Sequence, residues 1–127
     1  MKFQPDSLPG INVITRQQPD TVWVGSTAFG HSVLVPWRGE VQAWPPASTA
    51  ALSAADFERM LALEPELVIF GSGQRQRFVA PGLMRALIER RIGVETMDTA
   101  AACRTYNVLA SEGRAVIAAL LVGNQAV

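Results

Sequence analysis

Cys103 is the residue whose chemistry most suggests catalysis, because a thiolate is a strong nucleophile. It is the only cysteine in the chain and lies one turn inside a predicted helix, in the stretch MDTAAACRTYN (97–107). The helix dipole stabilises a thiolate little at that depth, and the neighbouring residues on the same helix face include no base. The only histidine, His31, begins a predicted strand elsewhere. We therefore interpret Cys103 as a packed thiol and predict no catalytic residue. One cysteine and one histidine also cannot complete a zinc site without carboxylates, so no metal site is predicted.

Two loops could hold a ligand, because each follows a predicted strand. One loop spans residues 71–78 and the other spans 97–99. Ligands of open parallel sheets bind beyond the carboxyl ends of the strands, so neighbouring strands would place these loops side by side. The candidate binding residues there are Gly71, Ser72, Gly73, Arg75, Arg77, Asp98 and Thr99.

The chemistry of these loops favours a small anion, since arginines and helix N-termini both bind phosphate or carboxylate groups. The alternative is that Arg75 and Arg77 pair with Asp98, with Glu95 or with solvent. A dinucleotide-binding fingerprint does not fit, because it needs a third glycine and an immediate helix. Here several residues and Pro81 come before the helix.

Two further residues draw attention because of their positions. Glu95 lies inside a short strand that we predict to be central, where an unpaired charge is costly, so it should face a polar layer or pair with an arginine. Trp37 lies in a predicted turn and is expected to be exposed, which makes it a candidate for partner contact. Packing in the core is nevertheless the favoured interpretation of Trp37.

The first 45 residues have the composition of an antiparallel β region. Runs of β-branched and aromatic residues predict four strands, at 11–15, 21–25, 31–35 and 40–44. Turn residues separate them at 17–20 and 26–30, and residues 36–39 predict a hairpin turn with a positive φ at Gly39. The stretch WPPAST (44–49) ends this region.

The rest of the chain alternates between helical and extended patterns. Ser53 and Asp56 form a capping-box pattern that opens a first helix, which ends before Pro65. A second helix should begin at Pro81 and end at Gly93, and a third should run from Asp98 or Thr99 to about residue 112, closed by Gly113. Strands are predicted at 66–70 and 94–97. The run at 115–122 fits helix or strand by periodicity alone, and its length and its position after a glycine-ended helix favour a strand. The pattern predicts an α/β fold with a mixed sheet, an N-terminal antiparallel β region and a C-terminal β-α-β-α-β unit with parallel strands.

Length and composition exclude several classes of protein. The 127 residues suit a single α/β domain (1–127), and 49% hydrophobic against 17% charged residues excludes a disordered chain. Basic and acidic residues balance at 11 each, which gives no bulk attraction to nucleic acid or anionic membranes. The N-terminal MKFQPDSLPG does not resemble a signal peptide, and the longest apolar run is too short to cross a bilayer. We expect a cytoplasmic protein without membrane insertion.

Several motifs, in their order along the chain, resemble one family. They include SVLVPWRGEVQAW, ALEPELVIFGSG, GVETMDT and AACRTYNVLASEGR. The most specific parts are the Gly-Ser-Gly of residues 71–73, and the helix start with Asp98, Thr99, Cys103 and the Thr-Tyr-Asn of 105–107. The resemblance is to a family of small domains of unknown function that includes the mitochondrial complex I assembly factor three and the adipogenesis-associated domain protein.

The resemblance implies a compact three-layer α/β domain, no catalytic residues and no cofactor. The mitochondrial relatives bind other proteins during assembly of respiratory complex I, and this chain is similar to bacterial members. We therefore hypothesise a non-enzymatic protein-binding domain, an assembly or chaperone-like factor whose protein partner is unidentified. Its contact surface would be the two loops, with Trp37 as a second contact. The alternative is a small-molecule anion-binding protein that uses the same loops, and formation of a homodimer stays open.

Overall fold

A computed structural model of the protein describes residues 10–123. The prediction of one domain over 1–127 therefore extends beyond the described residues, as does most of the N-terminal segment in which no signal peptide is expected. Within the described part of the chain, no helix is long and apolar enough to cross a membrane.

Eight strands form two sheets. They are β1 (Ile14–Gln18), β2 (Thr21–Val24), β3 (Thr27–Phe29), β4 (Val33–Pro36), β5 (Gln42–Ala43), β6 (Leu67–Gly71), β7 (Gly93–Met97) and β8 (Val116–Leu120). The first three make an antiparallel sheet in the order β1-β2-β3. The other five make a mixed sheet in the order β5-β4-β8-β6-β7, in which β6 pairs in parallel with β7 and β8. The predicted fold class and the predicted parallel unit are confirmed.

Three short α-helices and three 3₁₀ segments cover the five-stranded sheet. The helices are α1 (Ala54–Glu58), α2 (Arg85–Glu89) and α3 (Thr99–Ser111), and the 3₁₀ segments are Thr49–Ala51, Arg59–Leu63 and Pro81–Met84. Helix α1 begins as its sequence predicts, because the Ser53 amide donates to the Asp56 carboxylate at 2.8 Å. Helix α3 ends at Ser111, and Gly113 follows with φ +83°, as predicted for its C-terminus.

The core consists of two clusters, one on each face of the five-stranded sheet. One cluster joins that sheet to α3 and the β1-β2-β3 sheet, and includes Ile14, Ile69 and Tyr106. The other joins it to α1 and α2 through Phe57, Leu87 and a group of edge-to-face aromatic rings. The molecule therefore has three layers, with α3 and the small sheet sharing one outer layer.

Several details differ from the sequence predictions, and the first and second predicted helices are each partly 3₁₀. Strand β1 begins at Ile14 rather than residue 11, and β3 occupies a stretch predicted as a turn. Gly93 does not end the second helix, because Arg91 takes the left-handed conformation there (φ 60°) and Gly93 is already the first residue of β7. Strand β7 is an edge strand rather than a central one. Glu95 on β7 is consequently exposed and needs neither a polar layer nor a charged partner.

Candidate functional site

The two predicted ligand loops lie together at one edge of the five-stranded sheet. Gly71 pairs with Met97 on one side and with Leu120 on the other, so the carboxyl ends of all three parallel strands meet there. The Ser72 amide donates to the Met97 carbonyl at 2.8 Å, which extends the pairing into the loops. The juxtaposition of 71–78 with 97–99 follows directly from this register.

Gly71 is a glycine because helix α3 crosses the end of β6 at very short range. A Cβ atom at this position would lie 2.9 Å from the Thr99 Cα and 3.1 Å from the Ala102 Cβ. Such distances require the backbone of one element to move. The glycine therefore sets how closely the helix packs on the sheet.

The Thr99 hydroxyl joins three segments of the chain. It accepts a hydrogen bond from the Gly73 amide at 2.9 Å and donates one to the Leu121 carbonyl at 2.9 Å. The Thr99 amide in turn donates to the Gly73 carbonyl at 2.8 Å. Thr99 is buried, and these bonds satisfy its hydroxyl and its amide where water has little access. Gly73 adopts φ +105°, a conformation that favours glycine.

The Ser72 hydroxyl holds the 71–78 loop in its turn. It donates to the Arg75 carbonyl at 2.6 Å and accepts from the Arg77 amide at 3.0 Å. Ser72 is itself buried. Its role in the structure is to satisfy the backbone of a turn that no strand or helix supports.

Asp98 caps helix α3, as the sequence predicts. Its carboxylate accepts from the Ala101 amide at 2.8 Å. A negative charge therefore already occupies the position at which an external anion would meet the amides of the helix N-terminus. The geometry at this helix start does not favour anion binding.

A pocket of about 250 Å³ opens beside this helix start. It is lined by Gln17, Pro19, Gly73, Gln74, Asp98, Thr99, Ala100 and Leu121. Arg75 and Arg77 are not in its lining; Arg75 is exposed and Arg77 is half-buried in the loop. The pocket thus combines amide groups and one carboxylate, which suits hydrogen-bonding ligands more than anions. Anion binding by the two loops remains a prediction.

Trp37 lies away from the other candidate residues. Its amide donates to the carbonyl of Val116, the first residue of β8, whereas the loops follow the last residues of the parallel strands. The expectation that Trp37 is exposed is wrong, because its half-buried ring packs on the core cluster and the Arg38 guanidinium lies 4.7 Å from its centre. The structure does not bring Trp37 to the same surface as the loops.

Cys103 packs in the core, as its neighbours in the sequence predict. It is only 4% exposed, and burial raises the pKa of its thiol to about 12, more than Arg104 lowers it. The thiol is therefore protonated near neutral pH and a poor nucleophile. Among residues 10–123, no group of three or more acidic, histidine or cysteine side chains could hold a metal ion.

Two residues of the Thr-Tyr-Asn motif have roles that the sequence does not reveal. The Asn107 side chain accepts from the Ile14 amide at 2.9 Å and donates to the Ile14 carbonyl at 2.8 Å. The buried Tyr106 hydroxyl donates to the Asn12 carbonyl at 2.8 Å, and burial raises the pKa of this phenol. Both side chains attach α3 to the N-terminal β region. The only sequence signal for this attachment is that Tyr106 and Asn107, which can both form hydrogen bonds, are adjacent in a largely apolar helix.

The fold is shared with solved structures of bacterial proteins. A protein from Bordetella parapertussis superposes with a TM-score of 0.85 at 35% identity, covering 91% of this chain and 99% of that one. A Mth938-like domain from Bordetella pertussis gives a TM-score of 0.83 at 29% identity, covering 98% of this chain and 95% of the other.

Several curated relatives are similar over most of this chain, and one of them covers 87% of it. That relative is NADH dehydrogenase (ubiquinone) 1 alpha subcomplex assembly factor 3 from Bos taurus, 33% identical over 124 residues that cover 87% of this chain and 66% of the relative. The protein of that name from Homo sapiens is 34% identical over 99 residues, covering 76% of this chain and 53% of its own length. The chain thus spans between half and two thirds of these relatives. A family model matches residues 14–121, which confirms the family resemblance found in the sequence motifs. This protein belongs to the family described as protein of unknown function (DUF498/DUF598).

Proposed function

We propose that this protein is a non-enzymatic binding domain that contacts a protein partner in the cytoplasm during assembly of a respiratory membrane complex. The observation that carries the proposal is the 33% identity, over 87% of this chain, with a protein named as an assembly factor of NADH dehydrogenase. The partner would be a subunit of that enzyme complex or another of its assembly factors.

The hydrogen bonds of the candidate site support a binding role over a catalytic one. Among the polar side chains of the most specific motifs, Ser72, Asp98 and Thr99 lie at the two loops, and each bonds to backbone groups of its own fold. The Cys103 thiol is buried and protonated. Side chains held in this way define a rigid surface for a partner.

The proposed contact surface is the pocket beside α3, with those residues of the loops 71–78 and 97–99 that line it. Gly73, Gln74 and Asp98 line the pocket from these loops, and Gln17 lines it from β1. Arg75 and Arg77 lie in the same loop, outside the pocket. Trp37 is not part of this surface, because it lies at the other end of the parallel strands.

Deleting the gene in an organism that also carries NADH dehydrogenase tests the biological role. We expect less fully assembled enzyme on native gels, because an assembly factor acts before the complex is complete. The intact gene should restore assembly. Normal amounts of the assembled complex in the deletion strain would contradict the proposal.

A pair of variants tests the contact surface. Gln74→Trp places a large ring at the exposed mouth of the pocket, whereas Gln76→Trp adds the same ring to an exposed residue of the loop that does not line it. We expect Gln76→Trp to restore assembly and Gln74→Trp to fail, with both proteins folded by circular dichroism. Equal complementation by the two variants would show that the pocket is not the contact.

A further inference from the structure

The balanced charge of the whole chain conceals a strongly basic segment. Residues 74–91 contain five arginines and one glutamate, a net charge of +4, so the other residues carry six basic and ten acidic groups and a net charge of −4. The arginines are Arg75, Arg77, Arg85, Arg90 and Arg91. We call these five arginines, together with Phe78 and Ile88, the basic patch.

The basic patch is also the place where apolar side chains meet solvent. Phe78 is 88% exposed, which is exceptional for a large aromatic residue, and Ile88 is 53% exposed. Four of the arginines are exposed and Arg77 is half-buried. Among residues 10–123, none of the five guanidinium groups forms a salt bridge or a hydrogen bond with another side chain.

The two helical pieces of this segment present one outward face. Pro81, Arg85 and Ile88 recur at helical spacing and line a shallow depression of about 270 Å³ together with Gly82 and Glu89. The opposite side of the same helix is anchored by Leu87, which is fully buried in the core cluster. Phe78 lies three residues before Pro81, so its backbone is within about 11 Å of that face. Arg85 and Ile88 therefore share one outward face, and Phe78 lies close to it in the chain.

We propose that the basic patch docks the protein onto an anionic phospholipid surface, with Phe78 and Ile88 in the interfacial region and the arginines against the phosphates. Aromatic and aliphatic side chains flanked by basic residues are the pattern that binds such surfaces without crossing them. A membrane also satisfies arginines at any spacing, because lipid phosphates move to meet them. A protein partner would instead need carboxylates matched to guanidinium groups spread over 17 residues of chain.

This surface is distinct from the pocket beside α3 and does not depend on the proposed assembly role. Val79 and Leu87 of the basic segment pack on the α2 side of the five-stranded sheet, whereas α3 covers the other side. A protein held to lipid by the patch would keep its α3 layer facing away from the membrane, free to contact a partner.

Vesicle binding tests the inference with the purified full chain alone. The probes are vesicles of phosphatidylcholine mixed with phosphatidylglycerol, and vesicles of phosphatidylcholine only, in a sedimentation assay at low and high salt. We expect binding to the anionic vesicles that weakens with salt and little binding to the neutral ones. The double variant Arg77→Gln and Arg85→Gln should lower the partition coefficient about 25-fold, since each arginine contributes about fivefold. Phe78→Ser should lower it about tenfold.

Matched control variants lie in the opposite layer. Arg16→Gln with Arg104→Gln removes the same charge from two exposed arginines, and Val108→Ser removes an apolar side chain that is 56% exposed on α3. These controls should bind as the unaltered chain does. Equal losses in the controls and the patch variants, or no preference for anionic vesicles, would overturn the inference. A third result would also overturn the inference. If the unaltered chain binds no vesicles and the patch variants fail to restore NADH dehydrogenase assembly, the patch contacts protein rather than lipid.

Discussion

At the scale of single residues, the candidate site depends on one missing side chain. Gly71 allows α3 to approach β6 closely enough for the Thr99 hydroxyl to reach both Gly73 and Leu121. A helix displaced by a methyl group would lengthen these buried hydrogen bonds. Packing and hydrogen bonding at this point are therefore coupled.

Gly71→Ala should destabilise the protein by about 1–3 kcal/mol, because the added Cβ overlaps the backbone of Thr99. Gly82→Ala is the matched control, since no atom lies within 4 Å of a Cβ at that position. Urea denaturation of both variants measures the difference in unfolding free energy. Equal stability of the two would show that α3 can shift without cost.

The raised pKa of Cys103 predicts how stability depends on alkaline pH. The unfolded thiol ionises near its ordinary pKa of 9.0, whereas the folded thiol keeps its proton until about pH 12. The unfolded state therefore loses this proton first, and the free energy of unfolding should fall above pH 9 by about 1.4 kcal/mol per pH unit.

Cys103→Ala should reduce this decline, as measured by urea denaturation at a series of alkaline pH values. A smaller decline should persist above pH 10 because burial also raises the pKa of Tyr106. The native thiol should also react slowly with alkylating reagents at neutral pH compared with the unfolded chain. Rapid labelling of the native protein would contradict the burial of Cys103.

Sequence alone predicts residues whose role depends on near neighbours. The Asp98 cap, the positive φ of Gly39 and the packed state of Cys103 follow from local patterns, and the structure shows all three. The sequence favours packing for Trp37, but the distant segments on which its ring packs could not be predicted. Local rules place a turn residue in solvent, and tertiary packing overrides them here.

At the scale of elements, two side chains of α3 attach the small sheet to the rest of the fold. Asn107 pairs with both backbone groups of Ile14 in the way that a neighbouring strand would. Tyr106 bonds to the chain just before β1. Strand β1 therefore has β2 on one edge and an asparagine in place of a strand on the other.

Asn107→Ala should cost about 2 kcal/mol, because it leaves the Ile14 amide and carbonyl without their partners in a partly buried position. Ser111→Ala is the control, since that hydroxyl bonds only to the Val108 carbonyl one turn earlier in the same helix. Hydrogen exchange at Ile14 should accelerate in the first variant and stay unchanged in the second. Unaltered exchange in Asn107→Ala would show that the small sheet is held by packing alone.

The buried strands could be predicted from the sequence, whereas the order of the strands in the sheet could not. The continuous apolar runs of β6 and β8 indicate buried parallel strands, and every residue of both is buried. The position of β7 at an edge depends on where the chain inserts β8, between β6 and β4. No local pattern encodes that choice. Strand β3 could not be predicted from the sequence, because three residues between turns show too little alternation of apolar and polar side chains.

At the scale of the whole molecule, stability should be graded from the centre of the large sheet outward. Strands β6 and β8 are paired on both sides and buried, whereas β1 is mostly exposed. Native-state hydrogen exchange should therefore be slowest in β6 and β8 and faster in β1. Equal protection of all strands would indicate that the molecule opens only by global unfolding.

The segregation of charge along the chain gives this neutral molecule a local positive charge that its total charge conceals. Residues 74–91 carry a net charge of +4 and the remaining residues carry −4. The total charge is therefore zero near the isoelectric point of about 6.6, but the surface can still bind a charged matrix. In isoelectric focusing the protein behaves according to its total charge. On a cation-exchange resin it can align its basic segment with the matrix and be retained at a pH where its total charge predicts no retention.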